Sequence, residues 1–180
     1  MIPIETTPWA EVQAEPKVEC ATIAEHLWCR AYGQTVAELN AVGSIIEHRE
    51  DYPRWYPHVA EVRSLDAATH YTRIGMPSPF ADRDQVYTAT KSDEGGARLY
   101  RWRAMVHADA PELPGVVRLA DAGGEWFLEP RADGGTSLRY QWCAEMGGSF
   151  PSWAQSRAAL LHAAEMIEGT RNAAESKGTP

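Results

Sequence analysis

The chain has no long apolar run. No stretch approaches the roughly 18 to 20 consecutive apolar residues that a bilayer-spanning helix needs. Its start, Met-Ile-Pro-Ile-Glu-Thr-Thr-Pro, has neither a basic segment nor an apolar one, so it does not read as a signal peptide. Basic residues are few. Seventeen Lys and Arg face 25 Asp and Glu, a formal net charge of −8, which argues against a nucleic-acid backbone as partner. The same balance disfavours electrostatic docking to an anionic bilayer, leaving only a transient membrane contact open. Cysteine is scarce too. Cys20, Cys29 and Cys143 fit no zinc spacing and read as reduced thiols of a cytoplasmic protein. The six histidines include no pair at the i, i+4 spacing of a helical zinc site, so no metal is indicated. No serine sits in a Gly-x-Ser-x-Gly elbow, and no Gly pair is followed by Gly-Lys-Ser/Thr. Neither a hydrolase nucleophile, nor a phosphate cradle, nor any organic cofactor is implied.

What is present is strands, then one long helix. A chain of 180 residues suits a single domain with a real core. After a helical turn at 9–12, period-two alternation predicts strands over 17–23 and 27–38, with Trp28, Tyr32 and Val36 on the inner face of the second. Asn40 reads as the N-cap of a short helix through about residue 50. Asp51-Tyr-Pro-Arg-Trp-Tyr-Pro-His58 makes an aromatic corner, because its two prolines forbid a regular helix. Hairpins over 59–76, strands over 85–91 and 98–108, a hairpin over 116–129 and a last strand over 137–145 bring the total to about eight, mostly antiparallel. From Pro151 a helical pattern begins. Trp153, Arg157, Leu160, Ala164 and Ile167 recur at spacings of three or four, and interspersed alanines keep the helix slim. Residues 172–180 read as a frayed tail. Strands followed by one terminal amphipathic helix imply an α+β fold, a curved antiparallel sheet with the helix across its concave side.

Several segments recur in an order that resembles a known family: Tyr52-Pro-Arg-Trp55-Tyr-Pro-His, Val62-Arg-Ser-Leu65, Pro79-Phe-Ala-Asp82-Arg83-Asp84, Gly124-Glu-Trp126-Phe-Leu128-Glu-Pro130, Thr136-Ser-Leu-Arg-Tyr140 and Gly147-Gly-Ser-Phe-Pro151-Ser-Trp153. Together they resemble the START (steroidogenic acute regulatory-related lipid transfer) domains of bacterial type, within the helix-grip superfamily that also holds polyketide cyclases and plant hormone receptors. The resemblance spans about residues 9–172. It implies a helix-grip fold with an internal cavity for a hydrophobic small molecule or lipid, carried or sensed without covalent chemistry.

Seven tryptophans are more than a core of this size needs, so some are candidates to line such a cavity. The candidate ligand-binding set is Trp55, Arg83, Tyr100, Trp102, Trp126, Leu128, Tyr140, Trp142, Trp153, Arg157, Leu160, Ala164 and Ile167. Arg83, turned inward, would anchor a polar ligand head, since a buried guanidinium needs a partner. The loops at 77–80 and 111–115 and the start of the last helix are the candidate gates. The alternative is a cyclase or dehydratase on the same superfold, and its acid or base would come from His107, Asp84 or Glu129.

Overall fold

The computed structural model describes residues 8–148 and 150–177, without the side chains of Ser152, Trp153 and Lys177. The strands are β1 (Ala10–Ala14), β2 (Lys17–Ile23), β3 (His26–Thr35), β4 (Val59–Ser64), β5 (Thr69–Ile74), β6 (Arg83–Glu94), β7 (Ala97–Ala104), β8 (Val117–Arg118), β9 (Ala122–Pro130) and β10 (Thr136–Ala144). Between β3 and β4 lie α1 (Leu39–Glu47), a 3-10 turn (Arg49–Asp51) and α2 (Tyr52–Trp55), a single turn that the prolines do not forbid after all, because Pro53 sits in its first turn. The chain closes with α3 (Ser152–Lys177).

All ten strands join one curved sheet in the order β1-β2-β3-β10-β9-β7-β6-β5-β4, with β8 added beside β6. The main path is antiparallel throughout, as short hairpin connections require. Gly95 and Gly96, at φ 60 and 90, form the turn between β6 and β7 that an ordinary side chain would strain.

α3 lies across β2, β3 and β10. Its buried stripe is Ala159, Ala163, Met166, Ile167, Thr170 and Ala174. The alanines bring the helix axis close to the sheet, and Gly33 completes the fit. A Cβ at Gly33 would stand 2.5 Å from Ile167 Cγ2, so β3 offers a bare backbone where the helix needs one. Trp142 Nε1 donates to the Ala159 carbonyl at 3.1 Å, tying helix to sheet through a buried hydrogen bond.

Several expectations are corrected. Residues 10–14 pair with β2 as a strand, because an edge partner outweighs a single helical turn. α1 begins at Leu39, and Asn40 instead accepts from Arg98 Nη1 at 3.1 Å. β8 does not pair with β9. It runs parallel to β6, where Arg118 closes both guanidinium arms on buried Asp84 at 2.7 and 3.0 Å. In β3 the register is one residue away from the expected one. Cys29 pairs with inward-facing Trp142, so Trp28 and Tyr32 point to the outer face, and Val36 is past the strand and exposed. α3 continues through residue 177, held where Thr35 Oγ1 donates to Glu175 at 2.8 Å and Ala174 is buried. Cys20 and Cys29 are not reduced thiols. They oppose each other across the β2–β3 ladder and form a disulfide, while Cys143 remains free and buried. With that pair bonded, cysteine usage no longer argues for a reducing compartment. No helix among the described residues is long and apolar enough to cross a membrane.

Candidate functional site

Alternation along β7, β9 and β10 puts Tyr100, Trp102, Trp126, Tyr140 and Trp142 on the concave face beneath α3. Their rings fill most of the space there. Trp126 and Tyr140 pack at a tilt with centroids 4.6 Å apart, and Tyr87 meets Trp102 edge-on at 5.7 Å. Gly124 on β9 makes this possible. A Cβ there would lie 2.8 Å from Trp102 Nε1 and 2.6 Å from the Gln141 carbonyl, so only glycine lets the Trp102 indole lie flat across the strand. What remains is an inner pocket of about 60 Å3.

A larger outer pocket of about 280 Å3 opens beside it. Its walls come from Ile74, Met76, Pro77 and Phe80, from Leu119, Met146 and Phe150, and from Ala154, Ala158 and Leu161 on α3. Loop 77–80 and the start of α3 therefore form its rim, whereas loop 111–115 does not line it. Phe80 and Phe150 meet across the rim with centroids 4.8 Å apart.

The two pockets share Tyr56, Ile74, Trp142 and His162. Three of these form a polar partition. Tyr56 Oη lies in a short hydrogen bond with His162 Nδ1, and Tyr140 Oη stands 3.0 Å from Nε2. The Trp142 ring packs 3.9 Å from the imidazole, centroid to centroid. A neutral imidazole has one donor and one acceptor nitrogen, so one tyrosine donates to the ring and the other accepts from it. Burial pushes the His162 pKa down to about 3, and nearby His58 adds to the shift. Burial also holds the Tyr56 and Tyr140 phenols well above their usual range. The partition is thus uncharged at neutral pH and polar enough to bond a ligand hydroxyl or carbonyl.

Arg83 lines the outer pocket beside Phe150. Only 2% exposed, it donates from Nε to the Met146 carbonyl at 3.1 Å, from Nη2 to Gly147 at 3.2 Å, and from Nη1 to Ala81. Its guanidinium carbon lies 4.9 Å from the Phe150 ring centre. Among the described residues no carboxylate approaches it within 4 Å, and burial alone lowers its pKa.

The remaining candidates scatter. Trp55 faces a separate groove at the far end of α3, against Gly169. Leu128, Ala164 and Ile167 are core residues with little or no exposure and border neither pocket. Leu160 is half-buried and also outside both. Arg157 is exposed at the outer rim instead of on the inner helix face, because the helix is rotated to bury Ala159 and Ala163. The Trp153 side chain lies outside the described residues. The three acid–base candidates border neither pocket. His107 faces Asp66 at 3.6 Å, Asp84 is held by Arg118, and Glu129 is exposed. The residues sequence reasoning missed are Tyr56 and His162. Tyr56 belonged to the aromatic corner already noted. His162 lies five residues after Arg157 on α3, and the one-residue rotation of the buried stripe hid it. Among the described residues, His26, Asp121 and Glu145 could bring metal-ligating atoms within 4.8 Å of one another, on mostly exposed side chains that border neither pocket.

Comparison with known proteins fits this architecture. No protein-family model matches the chain. An uncharacterised protein of Pseudomonas aeruginosa is 30% identical over 146 residues, covering 78% of this chain and 72% of the relative. The crystal structure of a STAR-related lipid transfer protein from Xanthomonas axonopodis superposes with a TM-score of 0.82 at 27% identity, covering 93% of this chain and 98% of that one. The fold is that of the START domains. The human StAR-related lipid transfer protein 5 shares the START fold at a TM-score of 0.85, covering 97% of this chain and 90% of that one, with 15% identity. The two share a fold at an identity where little sequence likeness remains.

Proposed function

We propose that this START domain binds a hydrophobic small molecule or lipid between sheet and α3, as a carrier or sensor. One observation carries the reading. The outer pocket is walled by apolar side chains on both a loop and the helix, and it leads to a neutral polar partition that a ligand can displace or bond. Binding would draw its energy from apolar area removed from water, with orientation set by a few polar contacts. The ligand occupies the outer pocket first. The inner pocket, at about 60 Å3, admits a longer ligand only if the Tyr56–His162 contact opens. Loop 77–80 and the start of α3 gate the rim.

The test fills the outer pocket from the helix side. Ala158 is half-buried and borders it, so Ala158→Trp places an indole where ligand would lie. The probe is the neutral dye N-phenyl-1-naphthylamine, followed by fluorescence. Saturable one-to-one binding by the natural sequence, weakened at least tenfold in the variant, is the predicted result. Undiminished binding in a variant with an unchanged melting temperature would contradict the placement.

A further inference from the structure

We propose that the outer pocket selects single-chain amphiphiles with a carboxylate head, which pairs with Arg83. The inference rests on the carrier reading above and adds to it the ligand class.

The argument begins with charge. Arg83 is 2% exposed, yet its three protein partners are all backbone carbonyls. Carbonyl dipoles satisfy donors but leave the unit charge without a counter-ion. A buried cation in that state is costly, and an arriving anion recovers part of the cost. Donor counting gives the shape of that anion. A guanidinium has five N–H groups. Three are used, one each from Nε, Nη1 and Nη2, so one remains on each terminal nitrogen. Two adjacent N–H groups in one plane match the two oxygens of a carboxylate. Arg83 is itself one of the residues that line the pocket.

The rest of the pocket specifies the tail. Its walls are Met76, Phe80, Leu119, Phe150 and Leu161, which offer an alkyl chain no polar partner. Its volume of about 280 Å3 lies at the small end of the roughly 300–1,000 Å3 typical of ligand pockets. A site of that size suits one alkyl chain better than two. Arg157 and Glu165 both line the pocket, and Glu165 lies 3.3 Å from His58 Nε2, so Arg83 is the buried charge that a ligand head meets.

The experiment compares three probes that share a tail and differ in the head: decanoate, decan-1-ol and decyltrimethylammonium. Each displaces N-phenyl-1-naphthylamine from the protein at pH 7.5. Decanoate should bind at least tenfold more tightly than decanol, and the ammonium more weakly than either. Arg83→Lys, which keeps the charge but not the fork, should lose most of the preference for decanoate while still binding decanol. The comparison in the natural sequence stands on its own should Arg83→Lys not fold. Equal affinity for decanoate and decanol would overturn the carboxylate assignment while leaving the carrier reading in place. If neither the dye nor any decyl probe binds, the carrier reading fails and the assignment falls with it.

Discussion

Acidification should weaken this fold through His162 in a window where few other groups act. The imidazole is neutral between Tyr56 and Tyr140 and packs on Trp142. Its pKa is about 3 in the folded protein against 6.5 when unfolded. Because the folded value is depressed, the unfolded chain binds the proton first, and stability falls as pH drops below 6.5. At pH 5.0 the unfolded imidazole is almost fully protonated and the folded one is not. At 1.36 kcal/mol per pH unit, the 1.5 units between 6.5 and 5.0 amount to about 2 kcal/mol. That is a large share of a typical stability of 5–15 kcal/mol. His70, whose pKa is also lowered by burial, acts in the same direction, so the comparison must be with a variant that keeps it. Glu19, with its pKa at about 2 despite desolvation, owing to hydrogen bonds from Lys17, Arg30 and Tyr32, begins to lose its contribution only below about 4.5 and stays outside the window. The assay is urea unfolding of the natural sequence and of His162→Gln at pH 7.5 and 5.0. The natural protein should lose about 2 kcal/mol more than the variant across that interval. Equal losses in the two proteins would refute the account of a neutral, enclosed His162.

Two further predictions concern the frame around the site. Gly124→Ala should destabilise by about 1–3 kcal/mol in denaturant unfolding, because its Cβ meets the Gln141 backbone carbonyl, which cannot turn aside as a side chain would; an unchanged midpoint would show that β9 and β10 can separate at no cost. Thiol titration of the unreduced, denatured protein should find one reactive cysteine, Cys143, and three after reduction, whereas three before reduction would contradict the Cys20–Cys29 bond.

The sheet was legible because period-two alternation leaves a strong trace. The strand expected over 137–145 is β10, whose alternate residues Leu138, Tyr140 and Trp142 are buried on the side where α3 packs. Registry was less legible. The β3 face was read from its largest side chains, but Trp28 and Tyr32 lie on the outer face of the sheet. Helix packing chose the smaller Cys29, Ala31 and Gly33 for the inside. The same preference for small residues rotated α3. Counting bulky residues favoured Arg157 and Leu160, whereas close approach to a sheet favours Ala159 and Ala163. Cross-strand pairing of Cys20 with Cys29 depends on the β2–β3 register and has no local signature. The partition was invisible for a related reason. Tyr56, Tyr140 and His162 come from three elements distant in sequence, and only the closed sheet brings them together.

The most direct test of the carrier reading is native mass spectrometry of freshly purified protein, paired with organic extraction. The account predicts a discrete added mass that disappears on denaturation and is recovered in the extract as a single-chain carboxylate. A clean unliganded mass, together with no saturable binding of N-phenyl-1-naphthylamine, would contradict it and leave an interior filled by its own aromatic rings.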